Sequence, residues 1–240
     1  PDAIVIIAYG QIIPARLLTI PKLGWINLHA SLLPKYRGAA PINWAIVNGE
    51  TSTGLTTMRI DAGMDTGDIL LQQELAIGAK ETAPELAARM SDAGAPLMLA
   101  TLRGLAVGSL VGLPQNHVEA TMAPILKKED GRIGWRLPSQ QIFNRIRGFA
   151  PWPGATTSFH GQSCQLWGEA IGAKQVVAGV AAGHPGTIVG VFWEGQPTWM
   201  VVCGHATLLR LTAVKLEGRK QISASEFANG ARLTTGDHFN

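Results

Sequence analysis

The sequence predicts an α/β domain followed by a small β-barrel, and three observations indicate this fold class. In the first half, an apolar run and an alternating strand are followed by segments with helical periodicity. In the second half, short Val- and Thr-rich runs separated by glycines are typical of a barrel. Between them, residues 108–131 lack periodicity and contain two prolines, so we expect a linker and domains of residues 1–124 and 125–240.

The first elements are two strands. Residues 3–8 are all apolar, which is typical of a buried parallel strand. Residues 24–31, GWINLHAS, alternate so that Asn27, His29 and Ser31 share one face. Residues two apart on a strand are separated by roughly 6.5 Å. The amide and the imidazole can therefore converge on one reacting atom at the end of the strand.

A loop and a short helix come next. Pro34 and Gly38 interrupt regular structure in SLLPKYRGAAP, so backbone N–H groups of this loop can hold a ligand. In PINWAIVNG, Pro41 suits the first turn of a helix and Gly49 suits its end. This helix returns the chain to the sheet.

The loop DAGMDTGD follows the strand GLTTMRI and brings three carboxylates together. Gly63 and Gly67 allow a tight loop that presents Asp61, Asp65 and Asp68. Taken alone, Asp and Gly in such a loop are ordinary turn chemistry, and a single histidine on a strand is usually structural. The ordered combination of amide, imidazole, loop and carboxylate indicates an acyl-transfer site instead.

The composition argues against several other classes. The chain is 46% hydrophobic and 15% charged, which suits one large core or two smaller ones, and no apolar stretch is long enough to span a membrane. Cys164 and Cys203 have neither metal-site spacing nor disulfide density, so we expect reduced, partly buried thiols. The histidines form no HxH or HxxxH pair, which disfavours a metalloenzyme. A helix capped by Thr82 and kinked near Pro96 is expected to close the first domain.

The segment from Asn27 to Leu70 closely resembles the folate-dependent formyltransferase family, and most closely the branch that acts on methionyl-tRNA. The hallmark of that branch is N-x-H-x-SLLP-x-x-RGAAPI followed by D-x-G-x-DTGD, and the match is nearly complete. The resemblance implies a Rossmann-like catalytic domain, catalysis by Asn27, His29 and Asp65 without a metal, and 10-formyltetrahydrofolate as co-substrate. It assigns the folate contacts to Ser31, Leu32, Leu33 and Pro34.

The residue types suit this chemistry. The methionyl α-amine must attack the formyl carbon, passing through a tetrahedral oxyanion before N10 of the folate leaves. Asn27 and a protonated His29 can donate to the oxyanion, a contribution of roughly 3–4 kcal/mol per good donor. Asp65 can orient His29 and accept, directly or through a water, the proton that the amine loses. A free α-amino group titrates at roughly 7.7–8.0, so no strong base is needed.

Charge changes sign between the predicted domains. Residues 1–124 contain 8 Lys and Arg against 10 Asp and Glu, and residues 125–240 contain 12 against 7, so the net charge changes from −2 to +5. A basic domain suits a polyanionic substrate, because Lys and Arg contacts to phosphates supply most nonspecific affinity. A net charge of +5 is also common in domains that bind nothing acidic, so the charge alone leaves both interpretations open.

The second domain strengthens the resemblance. RGFAPWPGA, residues 147–155, and the late GxL(x)L…G(R/K)K pattern, residues 204–220, resemble the C-terminal oligonucleotide/oligosaccharide-binding (OB) barrel of the family. They point to initiator Met-tRNA as the partner. Trp152 stands between two prolines, so we expect it to pack in a buried corner rather than to stack on a base. The candidate phosphate contacts are Lys127, Lys128, Arg145, Arg147, Arg219 and Lys220.

Several expectations and alternatives accompany this interpretation. Family members begin with a glycine-bearing βαβ unit that residues 1–240 lack, so we expect a part of a longer protein and leave the activity of the chain alone open. The resemblance further implies a monomer that acts in translation initiation, in the bacterial cytoplasm or in an organelle, with no membrane partner. The alternatives are an aminosugar-nucleotide formyltransferase, another folate-dependent formyltransferase, and a catalytically inactive tRNA-binding fragment.

Overall fold

The computed structural model of the chain describes residues 1–11, 13–171 and 183–240. The chain divides into two compact units, Pro1–Leu126 and Lys127–Asn240. No helix in the described residues is both long and apolar enough to cross a membrane.

Among its described residues, the first unit contains a four-stranded sheet and three α-helices. The strands lie in the order in which they occur along the chain, with the first pair parallel and the other two pairs antiparallel. The strands are β1 (Ile4–Ile6), β2 (Trp25–His29), β3 (Ser52–Arg59) and β4 (Ile69–Ala76). The helices are α1 (Ala15–Leu18), α2 (Pro41–Val47) and α3 (Ala83–Ala106).

The two helices predicted in the first half are confirmed, because their ends are determined locally. Pro41 occupies the first turn of α2, and the chain leaves the helix through Gly49, whose φ of +79° suits glycine. Thr82 caps α3 and forms a capping box with Glu85. The helix then continues through Pro96 for a total of 24 residues. Its buried face packs with α2 and β3 in the core of the unit.

Strand β1 differs from its prediction. Its parallel pairing with β2 is as expected, but the strand covers only Ile4–Ile6 and is not buried. Val5 is 38% exposed. In the described residues β1 lies at the edge of the sheet, with β2 as its only neighbour, so its apolar side chains remain partly in solvent.

The segment after α3 also differs from its prediction as a linker. Residues 108–126 belong to the first unit rather than joining two units. Met122 forms a β-bridge with Arg37, and Leu113 forms one with Ile69. These contacts join residues far apart in sequence, which the absence of periodicity cannot reveal.

In its described residues, the second unit contains an antiparallel β-sheet and two α-helices. The sheet has the strand order β5-β6-β9-β8-β7, and β10 pairs with β9. The strands are β5 (Thr156–Phe159), β6 (Gln162–Ile171), β7 (Ile188–Trp193), β8 (Gln196–Cys203), β9 (Thr207–Leu216) and β10 (Ile222–Ser223). The helices are α4 (Ser139–Gly148), which confirms the helix predicted there, and α5 (Ala224–Ala231).

A closed barrel is not formed by the described strands of the second unit, since β5 and β7 end the sheet without pairing with each other. The C-terminal residues lie between these two edges. Ser158 of β5 donates its backbone N–H to Asn240 at 3.1 Å, and Ile188 of β7 donates to Asp237 at 2.6 Å. The coarser prediction of a small β-rich second domain is confirmed.

Two further predictions for this unit have different outcomes. Cys164 and Cys203 are free and buried, as expected, and burial raises the pKa of each thiol to about 12. The prediction for Trp152 is wrong, because its side chain is 54% exposed. The flanking prolines fix the turn without covering the indole.

Candidate active site

His29 lies at the end of β2 with only 6% of its surface exposed. Its Nε2 atom is 2.9 Å from the carbonyl oxygen of Tyr36. A carbonyl can only accept, so Nε2 carries the hydrogen and donates it. On the other side of the ring, Nδ1 faces Oδ2 of Asp65 at 3.7 Å. That distance is too long for a direct hydrogen bond. The ring is therefore oriented by the Tyr36 carbonyl, whereas we expected Asp65 to orient it.

Asp65 lies in the loop between β3 and β4. Its Oδ2 atom accepts a hydrogen bond from the backbone N–H of Gly38 at 2.8 Å, and its own backbone has a left-handed φ of +52°. The loop turns tightly because Gly67 approaches the Arg59 carbonyl, where a Cβ atom would come within 2.0 Å of the oxygen. Of the three carboxylates in this loop, Asp65 faces the histidine, whereas Asp61 accepts hydrogen bonds within its own turn.

Asn27 is half-buried on β2, two residues before His29. Its backbone is held on both sides, opposite Ile6 of β1 and Met58 of β3. Among the residues that the structure describes, its side-chain amide has no hydrogen-bond partner. The amide therefore keeps both N–H groups available for a ligand.

The loop that the resemblance assigned to folate is anchored to the sheet by a threonine. Thr56 Oγ1 donates to the carbonyl of Ser31 at 2.7 Å and accepts from the backbone N–H of Leu33 at 3.1 Å. Gln72 donates to the Leu33 carbonyl at 2.9 Å. The side chains of Ser31 and Leu33 are buried, so among the four assigned residues only Leu32 and Pro34 expose part of a side chain.

Two buried polar residues lie near this site, and one of them, Gln115, was missed by sequence reasoning. Arg37 and Gln115 are each 6% exposed, and Gln115 accepts from Arg37 while it donates to the loop of Asp65. Gln115 lies in the aperiodic segment after α3, where nothing in the sequence indicates burial. Tyr36 beside them donates its hydroxyl to Glu50 at 2.7 Å, and burial together with this hydrogen bond raises the pKa of Tyr36 to about 12.

A cavity of about 370 Å³ adjoins the Asp65 loop. Its walls are formed by the end of β3, both ends of the loop and the segment after α3. The lining residues are Arg59, Ile60, Asp61, Thr66, Gly67, Asp68, Pro114, Gln115 and His117. In the parts of the chain that the structure describes, no three His, Cys, Asp or Glu side chains come together as metal ligands would.

The candidate phosphate contacts fall into two groups. Exposed side chains are found at Lys127, Lys128, Arg219 and Lys220. Arg145 is half-buried and donates to the carbonyl of Asp130 at 3.1 Å. Arg147 is only 5% exposed and donates to Asn144, so the expectation of an exposed guanidinium is wrong there. In helix α4 the arginine points to the interior, where its stem and guanidinium pack against Phe143.

A cavity of about 470 Å³ in the second unit is lined by three cations, of which Lys215 was missed by sequence reasoning. The other two are Arg219 and Lys220. Trp167 adds an aromatic surface, and no carboxylate is among the lining residues. The cavity therefore has the composition that suits an anionic ligand with a flat ring.

Comparisons with known proteins extend this description. Residues 1–102 match the family described as "Formyl transferase", and residues 125–232 match "Formyl transferase, C-terminal domain". The chain is 51% identical over 235 residues to a methionyl-tRNA formyltransferase of Solibacter usitatus, covering 98% of this chain and 72% of that protein. It is 50% identical over 237 residues to a methionyl-tRNA formyltransferase of Koribacter versatilis, with 99% and 72% covered.

Among solved structures, the chain is similar to HypX from Aquifex aeolicus in complex with tetrahydrofolic acid. The TM-score is 0.67 at 17% identity, and the alignment covers 95% of this chain and 38% of that chain. A likeness at this identity concerns the fold alone.

Proposed function

The chain belongs to the formyl transferase family, and from this we propose that it carries the active site of a methionyl-tRNA formyltransferase. In this proposal the enzyme transfers the formyl group of 10-formyltetrahydrofolate to the α-amine of methionyl initiator tRNA in translation initiation, in the bacterial cytoplasm. The observation that carries it is the pairing of His29 with Asp65, two residues along the strand from a free amide on Asn27. The high identity to methionyl-tRNA formyltransferases supports the choice of acceptor.

The imidazole has one nitrogen available for the reaction. Nε2 of His29 is occupied by the Tyr36 carbonyl, whereas Nδ1 faces the Asp65 carboxylate without a direct hydrogen bond. In the protonated imidazole Nδ1 can donate to the formyl oxygen as negative charge develops there. The Asn27 amide supplies a second donor. Removing one such donor costs about 10²- to 10³-fold in rate.

The attacking α-amine must pass a proton to an acceptor during the reaction. It must attack as a neutral group, and esterification to the tRNA favours this form because it lowers the pKa of the amine below the roughly 7.7–8.0 of a free α-amino group. After attack the new C–N bond leaves an extra proton on the nitrogen, which Asp65 or a water beside it can accept. The hydrogen bond that the Gly38 N–H donates to Asp65 fixes the position of the carboxylate atom Oδ2 for this step. Collapse of the tetrahedral oxyanion then breaks the bond between the formyl carbon and N10 of the folate, and N10 takes up a proton as tetrahydrofolate leaves.

The residues of the first unit suit the folate co-substrate, which supplies the formyl carbon when it is bound. The cavity beside the Asp65 loop offers the carboxylates of Asp61 and Asp68, which can accept from the N–H groups of a pterin ring. Leu32 and Pro34 give the apolar contact on the anchored loop. Thr56 and Gln72 anchor that loop to the sheet through hydrogen bonds to its backbone.

For the second unit we propose an OB-like barrel that binds the tRNA. The strand order, with the chain end hydrogen-bonded to both outer strands, supports such a barrel. Exposed cations support contact with phosphates, and the cavity lined by Lys215, Arg219 and Lys220 is a candidate site for them. Trp152 and Trp167 add surfaces on which a base could stack.

The proposal is tested by supplying 10-formyltetrahydrofolate and comparing three acceptors with the protein that carries this chain. The acceptors are Met-tRNA, an aminosugar nucleotide and water alone. We expect formylation of Met-tRNA and no detectable transfer to the sugar. Transfer to the aminosugar nucleotide with no product on Met-tRNA would sink the proposal in favour of that alternative. RNA binding with no transfer to any acceptor would identify a binding protein instead.

A further inference from the structure

We propose that Gln115 is a positioning residue for the reaction, because its amide holds the backbone of Asp65 and the loop around Arg37 in one arrangement. The inference rests on the proposed formyl transfer at His29 and Asp65. It goes beyond that function by assigning a role to a segment that the sequence pattern presents as a linker.

The Gln115 side chain uses all of its hydrogen-bonding capacity. Its Nε2 donates to the carbonyls of Asp65 at 2.9 Å and Gly67 at 2.7 Å. Its Oε1 accepts from Nε of Arg37 at 3.2 Å and from Nη2 at 2.6 Å. The orientation of the amide is fixed, since a guanidinium has only donors and the two carbonyls can only accept.

The Arg37 end of this arrangement is itself well held. Arg37 is buried, and its backbone exchanges hydrogen bonds with Thr121 and Ala123. Its Nη2 also lies 3.0 Å from Nδ1 of His117, which must act as the acceptor. Gln115 therefore joins the Asp65 loop to a rigid element rather than to a mobile side chain.

Both neighbours of Arg37 contact the proposed catalytic pair directly. The carbonyl of Tyr36 accepts from His29, and the N–H of Gly38 donates to the Asp65 carboxylate. Gln115 thus connects the backbone of the Asp65 loop with residues 36–38. That segment hydrogen-bonds to the His29 ring and to the Asp65 carboxylate.

The Asp65 backbone requires such support. Its φ of +52° lies in the left-handed region, which a non-glycine residue occupies only when the surrounding structure holds it there. The Gln115 hydrogen bond to the Asp65 carbonyl supplies part of that restraint. Displacing a reacting group by about 1 Å can cost a hundredfold in rate. Loss of the restraint should therefore lower the rate although Asn27, His29 and Asp65, the groups proposed to act on the formyl transfer, are all kept.

The test compares Gln115→Glu, Gln115→Met and an exposed control, Gln141→Glu on α4. Glutamate keeps an oxygen that accepts from Arg37. It replaces the amide nitrogen, which donates to the carbonyls of Asp65 and Gly67, with a second oxygen that cannot donate to them. Methionine has a similar length and introduces no charge, so it guards against a folding failure of the first variant. We measure kcat and KM for Met-tRNA, and by NMR the Gly38 amide and the His29 ring signals at a temperature where every variant is folded.

For both Gln115 variants we expect kcat to fall about 10- to 100-fold with KM within threefold, and the Gly38 and His29 signals to shift. The control should match the original chain. Unchanged Gly38 and His29 signals would overturn the inference, and so would shifted signals with an unchanged kcat. If the unaltered protein fails to formylate Met-tRNA, the proposed function fails, and the NMR signals alone decide whether Gln115 positions Asp65.

Discussion

Around His29 the polar groups are buried and held by partners of fixed position, whereas the cations of the second unit stand mostly in solvent. The imidazole, the Asp65 carboxylate and the Gln115 amide each have defined contacts. The exposed cations, by contrast, include Lys127, Lys128, Lys215, Arg219 and Lys220. The first region is arranged for directional chemistry on small groups. The second region is suited to a long-range field that holds a large anion without demanding one geometry.

The two regions should therefore respond differently to substitution. A directional site depends on single atoms, so isosteric substitutions should have large effects on rate and small effects on binding. An electrostatic surface depends on total charge, so its substitutions should have small, nearly additive effects that salt screens.

The largest effect is expected for Asp65→Asn. The amide keeps an oxygen for the Gly38 N–H but removes the charge beside Nδ1 of His29 and the acceptor for the amine proton. We expect kcat to fall about 10²- to 10⁴-fold, the range for loss of a positioned acid or base, with KM for Met-tRNA little changed. Asp92→Asn, at an exposed position on α3, is the matched control for charge. A similar loss in both variants would mean that the loss of a negative charge lowers the rate without the contact between Asp65 and His29.

A smaller effect is expected in the second unit. The double variant Arg219→Ala/Lys220→Ala removes two cations that line one cavity. The slope of log K for tRNA against log salt should become shallower by about 2, roughly one for each phosphate that the variant no longer neutralises. The charge-matched control is Lys22→Ala/Arg103→Ala, two exposed cations of the first unit. An equal change in the control would show that net charge acts without a defined surface.

The smallest effect concerns a feature that both units share. Glu85 at α3 and Glu226 at α5 each accept hydrogen bonds in a capping box, and these bonds hold the pKa of each carboxyl below its usual value. A lowered pKa in the folded state adds stability above the unfolded pKa of roughly 4.3, and this stability is lost as pH falls through the folded pKa. Glu85→Gln should therefore reduce the acid-induced drop in the urea midpoint of unfolding.

The control for that experiment is Glu74→Gln, an exposed position in the middle of the same unit. It should leave the pH profile of the urea midpoint close to that of the original chain. A profile for Glu85→Gln that overlies the original one would show that the capping box contributes nothing measurable to stability.

The elements that the sequence predicts correctly are those with local causes. Helix α2 begins at Pro41 and helix α3 is capped by Thr82, and each signal lies within one turn of the helix end. The candidate catalytic residues carry a strong signal for a similar reason. Asn27 and His29 share one strand face, and the DxGxDTGD loop is compact enough to be recognised as a motif.

The features that were missed depend on contacts between distant residues. The burial of Gln115 follows from its packing under a loop 50 residues away in sequence, which no periodicity records. Arg147 and Trp152 show the same limit in opposite directions, since a charged side chain is buried and an aromatic one is exposed. In both cases residue type indicates the average environment, whereas the tertiary structure determines the actual one.

The contrast between a directional site and an electrostatic surface is tested most directly by single-turnover formyl transfer at saturating Met-tRNA. For two variants, the transfer rate is measured together with the Kd for tRNA. We predict that His29→Ala lowers the transfer rate at least about a hundredfold with an unchanged Kd. Arg219→Ala/Lys220→Ala should weaken binding and leave the saturated rate unchanged. A His29→Ala variant that transfers at the normal rate, or a pair of cations whose loss slows the saturated reaction, would contradict the account.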